Sequence, residues 1–171
     1  PLLNTSKLPP RDAQGRTVLI TGGSRGLGLV MAREFAGLGA RLALCARDID
    51  ELERATRELA GAGTEVIAIP CDVTRLDEVE AMIEQVLDRY GPIDVLVNNA
   101  ALATYEAVTR HFLEGDSAWW TRIIQTNLTS VFLFSNAVAM SMAKRRTGAI
   151  INLSSGGASH AHRAMAAYDA A

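Results

Sequence analysis

The sequence predicts an α/β fold, a doubly wound parallel sheet with helices on both faces. Three observations carry this expectation. Short apolar runs recur at Thr17–Thr21, Arg41–Ala46, Val66–Cys71, Ile93–Val97 and Gly148–Leu153, each of strand length. Between them lie stretches with apolar residues at helical spacing, so that strands alternate with crossover helices and pair in parallel. Gly22, Asp72, Asn98 and Ser155 fall just past the first, third, fourth and fifth runs, where open parallel sheets bind ligands.

The elements follow in order. Residues 1–16 read as an N-terminal arm, with three prolines in the first fourteen residues and no apolar core of signal-peptide type. Residues 17–171 read as one domain, for which 171 residues with 49% hydrophobic content suffice. After the first strand, Thr21-Gly22-Gly23-Ser24-Arg25-Gly26-Leu27-Gly28 opens onto a helix whose apolar stripe is Leu27, Val30, Met31, Phe35 and Leu38, ending at Gly39. Asp48 with Glu51 forms a capping box for a second helix carrying Leu52, Ala55 and Leu59 to Gly61.

Thr74 with Asp77 caps a third helix, striped by Val79, Met82, Ile83, Val86, Leu87 and Tyr90 and broken by Gly91-Pro92. Ala100 to Gly115 has no period and reads as a lid or an oligomer edge. A long helix follows from Asp116 to Ala143, with an expected stripe of Trp120, Ile123, Ile124, Leu128 and Val131, beside which Trp119 is expected to be exposed and to mark an oligomer contact. Lys144-Arg145-Arg146 then falls at the helix end, where cations cap.

The net charge of -2 gives no basic field for nucleic acid or an anionic membrane. No stretch is expected to reach the apolar length of a membrane span. Cys45 and Cys71, without metal-like spacing, read as buried reduced thiols, which suits a cytoplasmic protein. His160 and His162 read as surface-loop residues and a poor metal pair, so no metal site is expected.

The glycine turn suits a pyrophosphate, because glycines permit a tight turn and let phosphates approach the N–H groups at a helix start. As a plain connector it would look much the same. Asn127 lies on an apolar helix face, where its amide needs partners or costs about 1–3 kcal/mol. A core amide bonded to nearby backbone, or a helix-bend device, accounts for it equally well. Ser154 and Ser155 suit a turn after a strand, and Tyr168 alone suits a half-buried aromatic.

Taken together, Thr21-Gly22-x-x-x-Gly26-x-Gly28, Asn98-Asn99-Ala100, Asn127 in Asn-Leu-Thr, Ser155, and Tyr168 thirteen residues later resemble the short-chain dehydrogenase/reductase family over residues 17–171. The resemblance implies a Rossmann-type fold and hydride transfer between a nicotinamide cofactor and a carbonyl or secondary alcohol. It implies catalytic roles for Ser155, which polarises the carbonyl, Tyr168, the general acid or base, and Asn127, which supports a proton relay. It also implies cofactor contacts from Gly22, Ser24, Arg25, Gly26, Leu27 and Gly28, from Arg47, from Asp72 and Val73, and from Asn99 and Ala100.

Such roles fit the chemistry, since a carbonyl receiving hydride needs donors at its oxygen and a proton. The family's lysine, four residues after its tyrosine, would fall past Ala171, so the chain is expected to be part of a longer one. Ala101 stands where the family's Asn-Asn-Ala-Gly carries glycine. After the second strand the sequence offers Ala46-Arg47 with no carboxylate at the expected spot, and Arg25 lies in the turn, so NADP(H) is favoured over NAD(H). Asp48 is the one acid near enough to oppose that assignment. The partners expected are a small carbonyl or alcohol substrate and copies of the same chain, as a dimer or tetramer. Two other readings compete: an inactive nucleotide-binding regulator or scaffold of the same fold, and another Rossmann-type enzyme such as a methyltransferase, which would want an acid after the second strand.

Overall fold

The computed structural model describes residues 13–171. The expected arm over residues 1–16 therefore lies mostly outside the described residues. Residues 13–16 form a turn held by Ala13 N–H on the Leu38 carbonyl and Gly15 N–H on the Gly39 carbonyl.

Strands β1 (Thr17–Thr21), β2 (Arg41–Ala46), β3 (Val66–Pro70), β4 (Val95–Asn98) and β5 (Ala149–Asn152) make one sheet in the order β3-β2-β1-β4-β5. Every pairing is parallel, with Leu19 opposite both Ala43 and Leu96. The central strands are apolar on both faces, so alternate residues feed two cores. Val18 and Ile20 join Leu42, Leu44, Leu52, Ala55 and Leu59 beneath α1 (Gly26–Gly37) and α2 (Ile49–Gly61). Leu19 and Leu96 join Val79, Met82, Val86, Phe134 and Val138 beneath α3 (Leu76–Tyr90) and α6 (Ser130–Arg145). Strand order reverses between β1 and β4, and a crevice opens there past the strand ends.

Local chemistry explains several boundaries. Asp48 caps α2 by accepting the Glu51 N–H at 2.9 Å. Thr74 does not cap α3 as expected: the helix starts at Leu76 after Arg75, and Thr74 gives both its N–H (3.0 Å) and its hydroxyl (2.8 Å) to Asp72. The short side chain of Asp72 closes its own turn first, which moves the helix start onward. In α1 the expected stripe holds at Met31, Phe35 and Leu38, which pack against the core, and fails at its start. Leu27 and Val30 are exposed, and Gly28 and Ala32 face inward, because the side nearest the turn has no room for a large side chain.

Between β4 and the long helix, the expected featureless stretch contains a short helix α4 (Tyr105–Val108) and a 3-10 turn at Phe112–Glu114. Helix α5 (Ser117–Ile124) begins at Asp116, which accepts the Trp119 N–H at 2.7 Å. A π-helical turn, Gln125–Thr129, joins α5 to α6. The buried side of this long helix carries Trp119, Ile123, Thr126, Ser130, Phe134, Val138 and Met142. That overturns part of the expected stripe: Ile123 is buried as expected, but Trp120 is 39% exposed and Leu128 is exposed, whereas Trp119 is 5% exposed and marks no outer contact. The Trp119 indole N–H donates to the Ala107 carbonyl at 3.1 Å and its ring packs with Val108, Ile123 and Ala167.

The span from Ser117 to Arg145 is helix throughout and is long and apolar enough to cross a membrane by length and composition, which corrects the expectation that no stretch would be. In this fold its Phe134 and Val138 side lies in the sheet core. At its end Arg145 docks on Asp94 (3.0 Å) and on the Ile93 carbonyl (2.7 Å), and Arg146 closes the helix in the left-handed region at φ 54°. A short helix α7 (Ala166–Asp169) ends the chain's last turn.

Candidate active site

The crevice past the strand ends encloses about 780 Å³ and is lined from four connections. The turn after β1 contributes Gly22, Ser24, Arg25, Gly26 and Leu27. Arg47, Asp48 and Glu51 come from the β2–α2 junction, Cys71, Asp72 and Val73 from the end of β3, and Asn99, Ala100 and Ala101 from the end of β4.

The turn is shaped by close backbone approach. Gly22 and Gly26 have φ of 66° and 53°, which favours glycine at both. A Cβ on Gly28 would strike the Gly22 carbonyl oxygen, and one on Gly22 would lie 3.0 Å from Ala100 and from the Asn99 amide. The Thr21 hydroxyl accepts the Asn99 and Ala100 N–H groups at 3.0 Å each, and the Asn99 amide donates to the carbonyls of Thr21 (3.0 Å) and Gly22 (3.2 Å). Thus Thr21 and Asn99 splice the ends of β1 and β4, and the side-chain amide of Asn99 is spent on the turn.

Around the crevice the charges are arranged in pairs. Burial pushes the Asp72 carboxyl up, but the N–H and hydroxyl of Thr74 and the nearby charges of Arg47 and Arg75 outweigh it and hold the group below its usual range. Arg25 reaches Glu51 at 3.1 Å, and the Ser24 hydroxyl donates to the other oxygen of that carboxylate at 3.3 Å. Beneath, Cys45 and Cys71 are buried free thiols, and a hydrogen bond to Cys71 together with burial pushes the Cys45 thiol up. No group of three His, Cys, Asp or Glu side chains among the described residues is placed to hold a metal ion. A dinucleotide, which the sequence resemblance implies, fits this crevice: the glycine turn presents its backbone there with no side chain at Gly22 or Gly26, and Arg47 and Asp72 also line it.

The expected catalytic residues Ser155 and Tyr168 follow β5, Asn127 lies in the long helix, and none of the three is among those lining the crevice. Ser155 follows β5 and is exposed, with its hydroxyl accepting the Gly157 N–H at 3.3 Å. Tyr168 lies on α7, half-buried with Leu102, Val108 and Trp119 around it. Both approach Gly157, which bonds Ser155 through its N–H and where a Cβ would lie 3.5 Å from the Tyr168 ring. No hydrogen bond joins Ser155 to Tyr168. Asn127 sits in the π turn and grips Leu102 twice, accepting its N–H at 2.7 Å and donating to its carbonyl at 3.0 Å. It anchors the backbone next to Ala101 and makes no hydrogen bond to Ser155 or Tyr168.

The loop before Tyr168 is tied down from outside. Asp169 accepts the His162 N–H at 2.5 Å and lies 2.9 Å from its imidazole, and the Arg110 N–H donates to the carbonyl of Ala164, which itself has φ 61°. Sequence reasoning missed Glu51 as a crevice residue. Its helix-capping position gave it a sufficient role, and only the fold brings it to Arg25.

The chain resembles several known proteins. It is 39% identical over 155 residues, 90% of its length and 56% of the relative's, to a Streptomyces violaceoruber protein named as a ketoacyl reductase of the granaticin polyketide synthase. Among solved structures, a metagenomic short-chain oxidoreductase in complex with NADP superposes with a TM-score of 0.87 at 35% identity, covering 92% of this chain and 70% of that one. Actinorhodin polyketide ketoreductase with NADPH gives 0.85 at 36% identity, covering 95% and 61%. The chain thus spans little more than half the length of its curated relative. Residues 16–171 match the short chain dehydrogenase family, and with the parallel sheet, the glycine turn and the crevice at the strand-order reversal, this establishes that the chain belongs to that family.

Proposed function

We propose that this protein is an NADP(H)-dependent oxidoreductase that interconverts a carbonyl compound and its secondary alcohol. The observation that supports the proposal is a glycine-lined crevice with Arg47 on its wall, together with a segment after β5 in which Ser155 and Tyr168 both approach Gly157. A nicotinamide dinucleotide bound in the crevice would supply or accept the hydride. The Ser155 hydroxyl would orient and polarise the carbonyl oxygen, and the Tyr168 hydroxyl would give that oxygen its proton or remove it in the reverse direction. Asn127 would serve by holding Leu102, and with it the wall at Ala101, in place. Arg47 would meet the 2′-phosphate, since a guanidinium matches phosphate in charge and geometry.

The similar proteins named for ketoreduction, and the two solved with NADP or NADPH, support the reductase reading over an inactive scaffold. The proposal includes a cytoplasmic dimer or tetramer, with Phe132 and Met140 on the exposed side of α6 as the apolar contact. Affinity for NADPH and NADH, measured on wild type and Arg47→Ala, tests the cofactor assignment. The expected result is preference for NADPH in wild type that falls about tenfold or more in the variant. Equal affinities, unchanged by the substitution, would overturn it.

A further inference from the structure

Glu51 holds a position that α2 capping alone does not require. Its N–H is taken by Asp48, which leaves the carboxylate free to reach across to the glycine turn. There one oxygen pairs with Arg25 at 3.1 Å and the other accepts the Ser24 hydroxyl at 3.3 Å. The pair is uneven: the Glu51 side chain is 19% exposed and that of Arg25 77%. The carboxylate is thus fixed by two donors, and the guanidinium is the exposed partner. Glu51, Arg25 and Arg47 all line the crevice.

We infer that Glu51 is a specificity-determining residue that narrows this protein's preference for a 2′-phosphorylated dinucleotide, by holding Arg25 and by placing a negative charge where a 2′-phosphate would sit. The inference rests on the dinucleotide reading above. A phosphate approaching Arg25 must take the guanidinium from Glu51, and it then faces a carboxylate that Ser24 keeps from swinging away. A 2′-hydroxyl meets no such conflict and finds an acceptor in the same carboxylate. Arg47 is not held by any carboxylate in an ion pair among the described residues, so the two arginines of the turn and the β2–α2 junction are not equivalent. The acid that is missing directly after β2 is returned to the ribose end of the crevice from the first turn of α2.

Calorimetric binding of 2′,5′-ADP and 5′-AMP to the full chain tests this without turnover. Replacing Glu51 with Gln keeps shape and removes charge. Glu51→Gln is expected to tighten 2′,5′-ADP binding about tenfold while 5′-AMP binds unchanged or a few-fold weaker. In the Arg25→Ala background the gain should shrink, since only the removal of the negative charge remains. Glu51→Asp, which keeps the charge but shortens the reach to Arg25, should give a smaller gain and serves if the Gln variant does not fold. Wild type preferring 2′,5′-ADP with a ratio that neither Glu51 variant moves would overturn the role of Glu51 and leave the NADP(H) reading standing. Wild type binding the two probes equally, with a ratio that rises in Glu51→Gln, would support Glu51 and count against the NADP(H) preference. Binding of neither probe would overturn both.

Discussion

The turn after β1 and the segment after β5 both follow strand ends, yet they are held in different ways. The first is determined by the sheet itself: Thr21 and Asn99 stitch β1 to β4, and Gly22 and Gly28 fit only because no Cβ intervenes. The second hangs on loops and short helices. Ser155 is fixed through Gly157, and Tyr168 through a small cluster built from α4, α5 and α7 and through the Asp169–His162 tie. The glycine-lined crevice is thus built on strand ends. Ser155 and Tyr168, which the proposed function makes the reacting hydroxyls, are set on loops and a short helix, where local opening is easier.

Substitutions can separate the two regions. The largest expected effect is in the second. Tyr168→Phe should lower turnover of a carbonyl substrate by about 10²–10⁴-fold, with dinucleotide affinity unchanged in calorimetry. A matching loss of affinity would mean that the regions are not separable. Gly28→Ala attacks the first region, since its methyl must displace the Gly22 carbonyl. It should cost about 1–3 kcal/mol of stability, read in denaturant unfolding, and weaken dinucleotide binding. If stability falls and binding does not, the turn is a structural connector.

Asn127→Ala lies between the regions. Losing both bonds to Leu102 should cost about 1–2 kcal/mol, and freeing the wall at Ala101 should raise KM more than it lowers kcat. The smallest effect expected is the pH response of the second region. The N–H and imidazole of His162 hold the Asp169 carboxyl below its usual range. Its folded value is depressed, so its contribution is complete above the unfolded carboxylate range and is lost as pH falls through the folded value. The His162 amide should therefore lose protection, measured against its intrinsic exchange rate at each pH, as pH falls below about 5, while amides of β1 hold their protection. Parallel loss of protection in β1 would show global unfolding in place of loop release.

Much of this was legible in the chain. The five strands, the capping by Asp48, the inward Leu52, Ala55 and Leu59, and the break at Gly91 follow from patterns of a few residues. The failures share a cause. Adjacent Trp119 and Trp120 are nearly equivalent to a helical period, and the choice between them is made by the Ala107 carbonyl, twelve residues away in sequence. Leu27 and Val30 satisfy the period of α1, but contact with the Gly22 carbonyl keeps the inward side small. Asp72 outcompetes Thr74 as a turn former, which no capping pattern weighs.

By itself, then, the sequence determined the alternation of strands and helices, the glycine turn and the identities of the polar residues at strand ends, because these depend on local periodicity and backbone freedom. Only the tertiary structure decided which partners those residues meet. Asn127 became a clamp on Leu102, Asn99 a stitch across the sheet, and Glu51 a hand on Arg25. Each depends on contacts between segments far apart in the chain, and such contacts arise only when the sheet orders its strands 3-2-1-4-5 and brings four strand ends to one crevice.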